Sequence, residues 1–194
     1  MPECKLTSDF IPVDCRDAGI GGTSGAVYFI DYDDWINSAK VQDADNTYTG
    51  VTLPAGGSEA IKYDLFRGAP VPSSPYSQND GGQSGFTHTL AMFVSPSNKQ
   101  SVKDQWVGYG NYRRVVAIVV LDHQDVAQVY GVTTGMSISA YDELPNDQAT
   151  GGGFTLTLTT PTNTTLEIAP SDKFFNTDRA TTITALEALL TPTA

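Results

Sequence analysis

Glycines near the start of the chain are the first residues whose spacing could do chemistry. They are Gly19, Gly21, Gly22 and Gly25. A phosphate-binding glycine loop needs a strand before it and a helix after it, so that the helix N-terminus holds the phosphate. Here Pro12 and charged residues come first, a β-type run (26–30) follows, and no Walker lysine is present. We interpret the stretch as a flexible turn that leads into the first strand.

Grouped carboxylates raise the question of a calcium site. They are Asp31, Asp33, Asp34, Asp43 and Asp45. A calcium loop of the familiar type needs a glycine at its sixth position and a carboxylate at its twelfth. Counted from Asp43, those positions hold Tyr48 and Pro54. We therefore interpret these side chains as solvated turn carboxylates and predict no metal ion or other cofactor.

The pattern for nucleophilic catalysis is missing. The two histidines are His88 and His123, and a Ser-His-Asp site needs a serine on a strained elbow such as G-x-S-x-G. Ser24 lies in GTSGA and Ser84 in GQSGF, and both lack the second spaced glycine. Pairing of a cysteine with a histidine stays open, as does a pair of catalytic carboxylates. We predict that the chain is not an enzyme.

Charge and composition exclude several classes of protein. The chain has 194 residues, 22 acidic and 11 basic, with a net charge of −11. Phosphate binding depends on Lys and Arg, so tight nucleic-acid binding and attraction to an anionic membrane are disfavoured. The longest apolar run, Val115–Leu121, is far shorter than the roughly 20 residues of a membrane span. No secretory signal is visible, and we interpret Cys4 and Cys15 as reduced thiols, with a disulfide or a metal pair as alternatives.

Turn-forming and β-branched residues predict the elements that would position these side chains. Strands are expected at 26–30, 47–53, 59–66, 86–94, 112–121, 126–132, 133–141, 154–160 and, more weakly, 164–168. Helices are expected at 98–108 and at 178–190, where apolar residues recur at helical spacing. These elements predict one mainly β (α+β) domain, an antiparallel β-sandwich or barrel with one flanking helix and a C-terminal helix. An N-terminal arm (1–22), an extended loop (67–85) and a C-terminal extension (172–194) complete it.

The extended loop is the predicted contact between subunits. It shows no periodicity, and a connection of this length is either disordered or functional. Its prolines favour extended conformations, its apolar side chains would anchor on a neighbour, and its arginine could pair with an acidic residue. The loop could also add to a neighbour's sheet through backbone hydrogen bonds. The residues assigned to this contact are Arg67, Pro70, Val71, Pro72, Pro75 and Tyr76.

The order of these features resembles the tail tube (major tail) proteins of long-tailed bacteriophages. The resemblance covers about residues 10–160 and begins with CRDAGIGG (15–22) and VYFI (27–30). It continues through FTHTLAMFV (86–94), the predicted helix and RRVVAIVVLDH (113–123), and it closes with VYGVTTGMSISA (129–140) and GFTLTLTTP (153–161). Residues 172–194 have no counterpart in it and are predicted to decorate a tube or to clamp a neighbouring subunit.

The resemblance implies six copies per ring, and rings stacked into a hollow tube through which the genome passes. The implied partners are copies of the chain, other tail proteins and DNA that passes without specific binding, in a virion tail assembled in the host cytoplasm and without a membrane anchor. An acidic wall would repel phosphates, although ordinary solubility charge is the alternative. Two other functions stay open. One is a different virion component, such as a tail terminator or decoration protein. The other is a carbohydrate-binding β-sandwich, with Trp35, Trp106 and tyrosines as the stacking platform.

Overall fold

Strands make up most of the ordered elements. The computed structural model describes residues 23–56, 59–64, 70–78, 82–94, 113–121, 126–143, 154–161 and 165–191. The strands there are β1 (Thr23–Asp31), β2 (Ala39–Gln42), β3 (Tyr48–Thr52), β4 (Ile61–Asp64), β5 (Val71–Ser73), β6 (Tyr76–Gln78), β7 (Ser84–Phe86), β8 (Thr89–Val94), β9 (Val115–Leu121), β10 (Ala127–Tyr130), β11 (Ser137–Glu143), β12 (Phe154–Thr159) and β13 (Asp172–Phe174). The helices are α1 (Tyr32–Asn37) and α2 (Arg179–Ala188). The predicted mainly β, α+β fold class is confirmed. Within these segments no helix is long and apolar enough to cross a bilayer.

Seven strands form the larger sheet, in the order β2-β3-β13-β10-β9-β1-β4. Near its centre, β9 pairs antiparallel with β1 on one side and with β10 on the other. β9 and β10 match the strands predicted at 112–121 and 126–132. β13 lies between β10 and β3, and it runs parallel to β3 where Phe174 faces Tyr48. The sheet thus joins strands from both ends and the middle of the described chain.

Four strands form a second sheet, in the order β11-β12-β8-β5, with every neighbour antiparallel. It packs on the larger sheet around a core of alternating side chains. From β12 the core takes Phe154, Leu156 and Leu158, so the threonines between them point outward, as the alternation of the sequence predicts. The remaining core side chains include Leu90 and Met92 of β8. β6 and β7 form a separate two-stranded ladder.

The other face of the larger sheet is covered by both helices. β9 contributes Val116, Ile118 and Val120 to this second core, and its alternate residues enter the first. β9 is therefore buried on both faces, because its apolar sequence has no polar alternation. From the helices the second core takes Trp35 of α1 and Leu186 of α2, both almost completely buried.

The C-terminal segment is part of this architecture. α2 begins at a capping box: the Asp178 carboxylate accepts the Thr181 N–H at 2.8 Å, and the Thr181 hydroxyl accepts the Asp178 N–H at 3.1 Å. Phe174 is completely buried within the second core. Apolar side chains of residues 172–191 thus complete this chain's own core, and a role of the 172–194 extension on a tube or on a neighbouring subunit stays a prediction.

Several elements differ from the sequence prediction. α1 and β2 were not predicted. The run at 86–94 divides into β7 and β8, because the Thr87 N–H bonds to the Pro75 carbonyl and the His88 N–H to the Thr160 hydroxyl, each at 3.0 Å. The weak strand at 164–168 contributes only an isolated bridge between Glu167 and Phe86. The predicted helix at 98–108 lies outside the described residues.

Candidate assembly surface

The segment assigned to subunit contact contains three short strands. β5 pairs with β8, and β6 pairs with β7. The described part of the predicted extended loop (67–85) therefore contains short strands that the sequence analysis did not predict. Each of these strands has three residues, too few for a period of two to show in the sequence. Arg67 lies outside the described residues.

The two predicted apolar anchors are solvent-exposed. Val71 is 64% exposed and Tyr76 is 67% exposed, although the Tyr76 ring contacts Phe86 edge-on at 5.6 Å between centroids. Of the three prolines, Pro70 is buried, Pro72 is half-buried and Pro75 is exposed. A hydrogen bond of 2.8 Å between the Ser77 and Thr87 hydroxyls also ties this segment to the rest of the fold. The structure thus presents these two anchors on an ordered scaffold.

Proline changes how β5 could bind a neighbour. Pro72 faces Leu90 in the ladder with β8 and has no N–H, so the ladder must close through Val71 and Ser73. The backbone of Pro72 then points away from β8 and offers only a carbonyl oxygen. Prolines at an edge prevent regular strand addition. Contact through β5 would therefore rest on side chains, and the predicted addition through backbone hydrogen bonds loses its support there.

The opposite edge of the four-stranded sheet is β11, which contains no proline. A bulge at Ser139 bends this strand, and the Ser139 hydroxyl donates to the Thr157 carbonyl at 3.1 Å. Residues 139–143 are exposed, and the Tyr141 ring lies over Phe154 at 5.0 Å between centroids. No described strand pairs with the outer side of β11. This edge is thus the one whose sequence permits an added strand.

The four strands of the smaller sheet carry no positively charged side chain. Thr155, Thr157 and Thr159 point outward beside Phe93, Ala91 and Thr89 of β8. None of the four strands contains Lys or Arg, and their only acids are Asp142 and Glu143. The described cations all lie elsewhere: Lys40, Lys62, Arg113, Arg114, Lys173 and Arg179. Segments 70–78, 82–94 and 154–161 contain no Asp, Glu, Lys or Arg.

A buried carboxylate, which sequence reasoning missed, organises the turn between β10 and β11. Glu167 is only 2% exposed. Its carboxylate accepts the Thr133 N–H at 2.9 Å, the Thr134 N–H at 3.0 Å and the Thr134 hydroxyl at 2.9 Å. The Arg114 guanidinium donates to the Thr134 carbonyl at 2.7 Å and lies over the Tyr32 ring. The only sequence signal was an acid set between the apolar residues of TLEIAP.

Burial near Glu167 changes the titration of neighbouring groups. Burial, and secondly the Glu167 charge, raise the pKa of Asp172, whereas His88 lowers it. Burial raises the pKa of Tyr48 to about 12, with smaller contributions from Asp172 and Glu167. Of these two groups, Tyr48 is buried and Asp172 is half-buried.

The candidate calcium ligands act as turn and cap residues. The Asp43 carboxylate accepts the N–H groups of Asp45 and Thr47, each at 2.9 Å, and so closes the β2–β3 turn. The Asp31 carboxylate accepts the Asp33 N–H at 3.1 Å at the start of α1. Beside it a groove of about 400 Å³ is lined by Asp31, Tyr32, Asp33, Asp34, Arg113 and Arg114. In the described part of the chain, no three His, Cys, Asp or Glu side chains form a group that could hold a metal ion.

The remaining candidates are structural or lie outside the described residues. Trp35 is 1% exposed and packs edge-on against Tyr48, so it cannot take part in a sugar-stacking platform. His88 is also buried. The candidates outside the described residues are Cys4, Cys15, Trp106 and His123. Comparison with protein-family models, with curated proteins and with solved structures gave no match.

Proposed function

We propose that this chain is a structural subunit that assembles with copies of itself into stacked rings of a bacteriophage tail tube. The observation that carries the proposal is the four-stranded sheet, whose strands contain no Lys or Arg and whose β11 edge has no described strand beside it. The tail tube family and the ring of six are what the resemblance of the sequence implies. The alternative with a carbohydrate-binding platform loses Trp35, which is buried.

Electrostatics determines which surfaces can meet. Copies that each carry a net charge of −11 repel one another, and added salt screens that repulsion over about 8 Å at physiological ionic strength. Contact between copies is therefore easiest through surface without charge. The segments 70–78, 82–94 and 154–161 supply such surface. The same lack of cations would let DNA pass a wall made of this sheet without binding, because affinity for phosphate comes from Lys and Arg.

Assembly of the purified full-length chain tests the proposal. We expect rings or tubes at high protein concentration or raised salt, detected by light scattering and negative-stain electron microscopy. Val71→Asp and Tyr76→Asp should shorten or abolish tubes, because each places a charge on an apolar anchor. Ile36→Asp on α1 is the matched control, since Ile36 is 54% exposed but lies on the helical side. A chain that stays monomeric under all these conditions would overturn the proposal.

A separate experiment tests whether the outward face of the four-stranded sheet forms the wall of the tube. Thr155→Lys places a cation on the outward face of β12, and Thr184→Lys places a cation at an exposed position of α2. We expect assemblies of Thr155→Lys to retain duplex DNA at low salt in a filter-binding assay, and those of Thr184→Lys to retain no more than the native chain. Equal retention by both variants would refute a role of this face as the wall, while leaving assembly itself intact.

A further inference from the structure

We propose that His88 is a proton-sensitive latch between the two large sheets. In its neutral form it binds the turn Gly131–Gly135, and in its protonated form it releases that turn. The latch is a property of the folded subunit and does not depend on assembly into tubes.

The tautomer of the His88 ring follows from its partners. The Gly131 N–H points at Nδ1 with 2.9 Å between the nitrogens, and a backbone N–H can only donate. Nδ1 must therefore be the unprotonated acceptor. The proton then lies on Nε2, which donates to the Ala169 carbonyl at 2.9 Å. The ring is 2% exposed, so water does not supply substitute partners. One neutral side chain thus joins the start of β8 to two other segments.

Protonation changes one of these two bonds. Imidazolium carries a proton on both nitrogens and has no acceptor, so the Nδ1 proton would face the Gly131 N–H. That contact must open, whereas the bond from Nε2 to the Ala169 carbonyl persists in both forms. Imidazole is the side chain whose charge changes closest to neutral pH, so mild acid is the condition that tests this step. The local effect of acid is therefore release of Gly131 from β8.

The groups around His88 favour a local change over global unfolding. Tyr130 of β10 packs edge-on against the ring at 5.3 Å between centroids. Asp172 of β13 is the carboxylate that interacts with His88, and Glu167 lies in the same segment as Ala169. A positive ring would be attracted by the Asp172 carboxylate, which helps to keep the ring in place after the Gly131 bond opens. Both glycines of the turn Gly131–Gly135 have positive φ, 78° and 71°, which glycine adopts without a steric cost.

Nuclear magnetic resonance of the full chain at low salt tests the latch. His123→Gln leaves His88 as the single histidine, so its ring nitrogens are observed without overlap. We expect the Nε2–H tautomer at pH 7.5. Protection of the Gly131 amide, corrected for intrinsic exchange, should fall by up to about tenfold per pH unit as the pH is lowered towards the midpoint of the ring, and it should level off below that midpoint. Protection of the Ile118 amide in β9 should stay constant.

His88→Gln supplies the matched comparison, because glutamine does not titrate in this range. Its Gly131 protection, whatever its level, should not change between pH 7.5 and pH 5. The Nδ1–H tautomer at pH 7.5 would overturn the proposal, as would a ring that stays neutral to pH 5 or titrates without a change at Gly131. The same loss of protection in His88→Gln would also overturn it. If His88→Gln does not fold, the His123→Gln spectra alone decide.

Discussion

Replacement of Glu167 by glutamine measures how strongly a buried carboxylate holds the turn between β10 and β11. The native carboxylate accepts three hydrogen bonds, two on Oε1 from Thr134 and one on Oε2 from the Thr133 N–H. Glutamine has one acceptor oxygen. If that oxygen keeps both bonds from Thr134, the side-chain amide group faces the Thr133 N–H as a second donor. The variant therefore loses one bond to a charged acceptor and weakens two others.

The size of the effect follows from these contacts. A hydrogen bond to a charged group contributes about 1.5–3 kcal/mol, and an unsatisfied buried donor costs about 1–3 kcal/mol. Removal of a buried charge offsets part of this loss. We expect Glu167→Gln to lower the free energy of unfolding by about 2–3 kcal/mol at pH 7. Urea denaturation measures it directly, and thermal melting should show a fall in Tm of about 5–10 °C.

Glu187→Gln is the matched control for this experiment. Its carboxylate lies 3.8 Å from the Lys62 ammonium, and its side chain is 52% exposed. Exposed pairs of this kind contribute between about 0 and 1 kcal/mol, so the control should leave the unfolding midpoint nearly unchanged. A Glu167→Gln variant within about 0.5 kcal/mol of the native chain would refute the reasoning, because the three bonds would then contribute nothing net.

Two further substitutions test the core and the buried acid. Leu186→Ala should lower the free energy of unfolding, measured by urea denaturation, by about 2–5 kcal/mol, because it leaves a cavity at a completely buried position. A loss below about 1 kcal/mol would mean that α2 does not stabilise the second core. Asp172→Asn tests pH dependence. Burial raises the pKa of Asp172 above its ordinary 3.8, so the unfolded chain loses this proton at a lower pH than the folded chain does. The free energy of unfolding of the native chain therefore falls as the pH rises from 3.8 through the raised pKa. Thermal melting should therefore show that the Tm of Asp172→Asn, relative to the Tm of the native chain, rises between pH 3.5 and pH 6. A relative Tm that falls over this range would contradict the assignment.

Local patterns in the sequence determined those elements whose apolar residues follow a regular pattern along the chain. The apolar run of β9 predicts burial on both faces, because every second residue of a strand faces the same side. The alternation in β12 predicts one buried and one outward face for the same reason. For α2, the apolar residues at helical spacing predict the helix and its buried side, and the structure adds the capping box at Asp178.

Contacts between distant segments decided the rest of the fold. β13 has three residues, and its position between β3 and β10 depends on partners more than 40 residues away along the chain. β5, β6 and β7 are equally short and occur in a proline-rich stretch, so no pattern within them indicates a strand. Their ladders exist because β8 and the bridge to Glu167 satisfy their backbone groups, as buried backbone groups require.

At the candidate surface, too, the sequence determined some features and tertiary contacts decided others. The sequence alone determined that the chain is acidic and that the 154–161 segment carries no charge. The sequence did not reveal that Glu167 is buried, because an acidic residue is usually exposed even beside apolar neighbours. It also did not reveal that Trp35 belongs to the core, because Trp35 follows two aspartates. Only tertiary structure assigns those environments, because burial of a polar group is favourable only where distant donors, here Thr133 and Thr134, meet it.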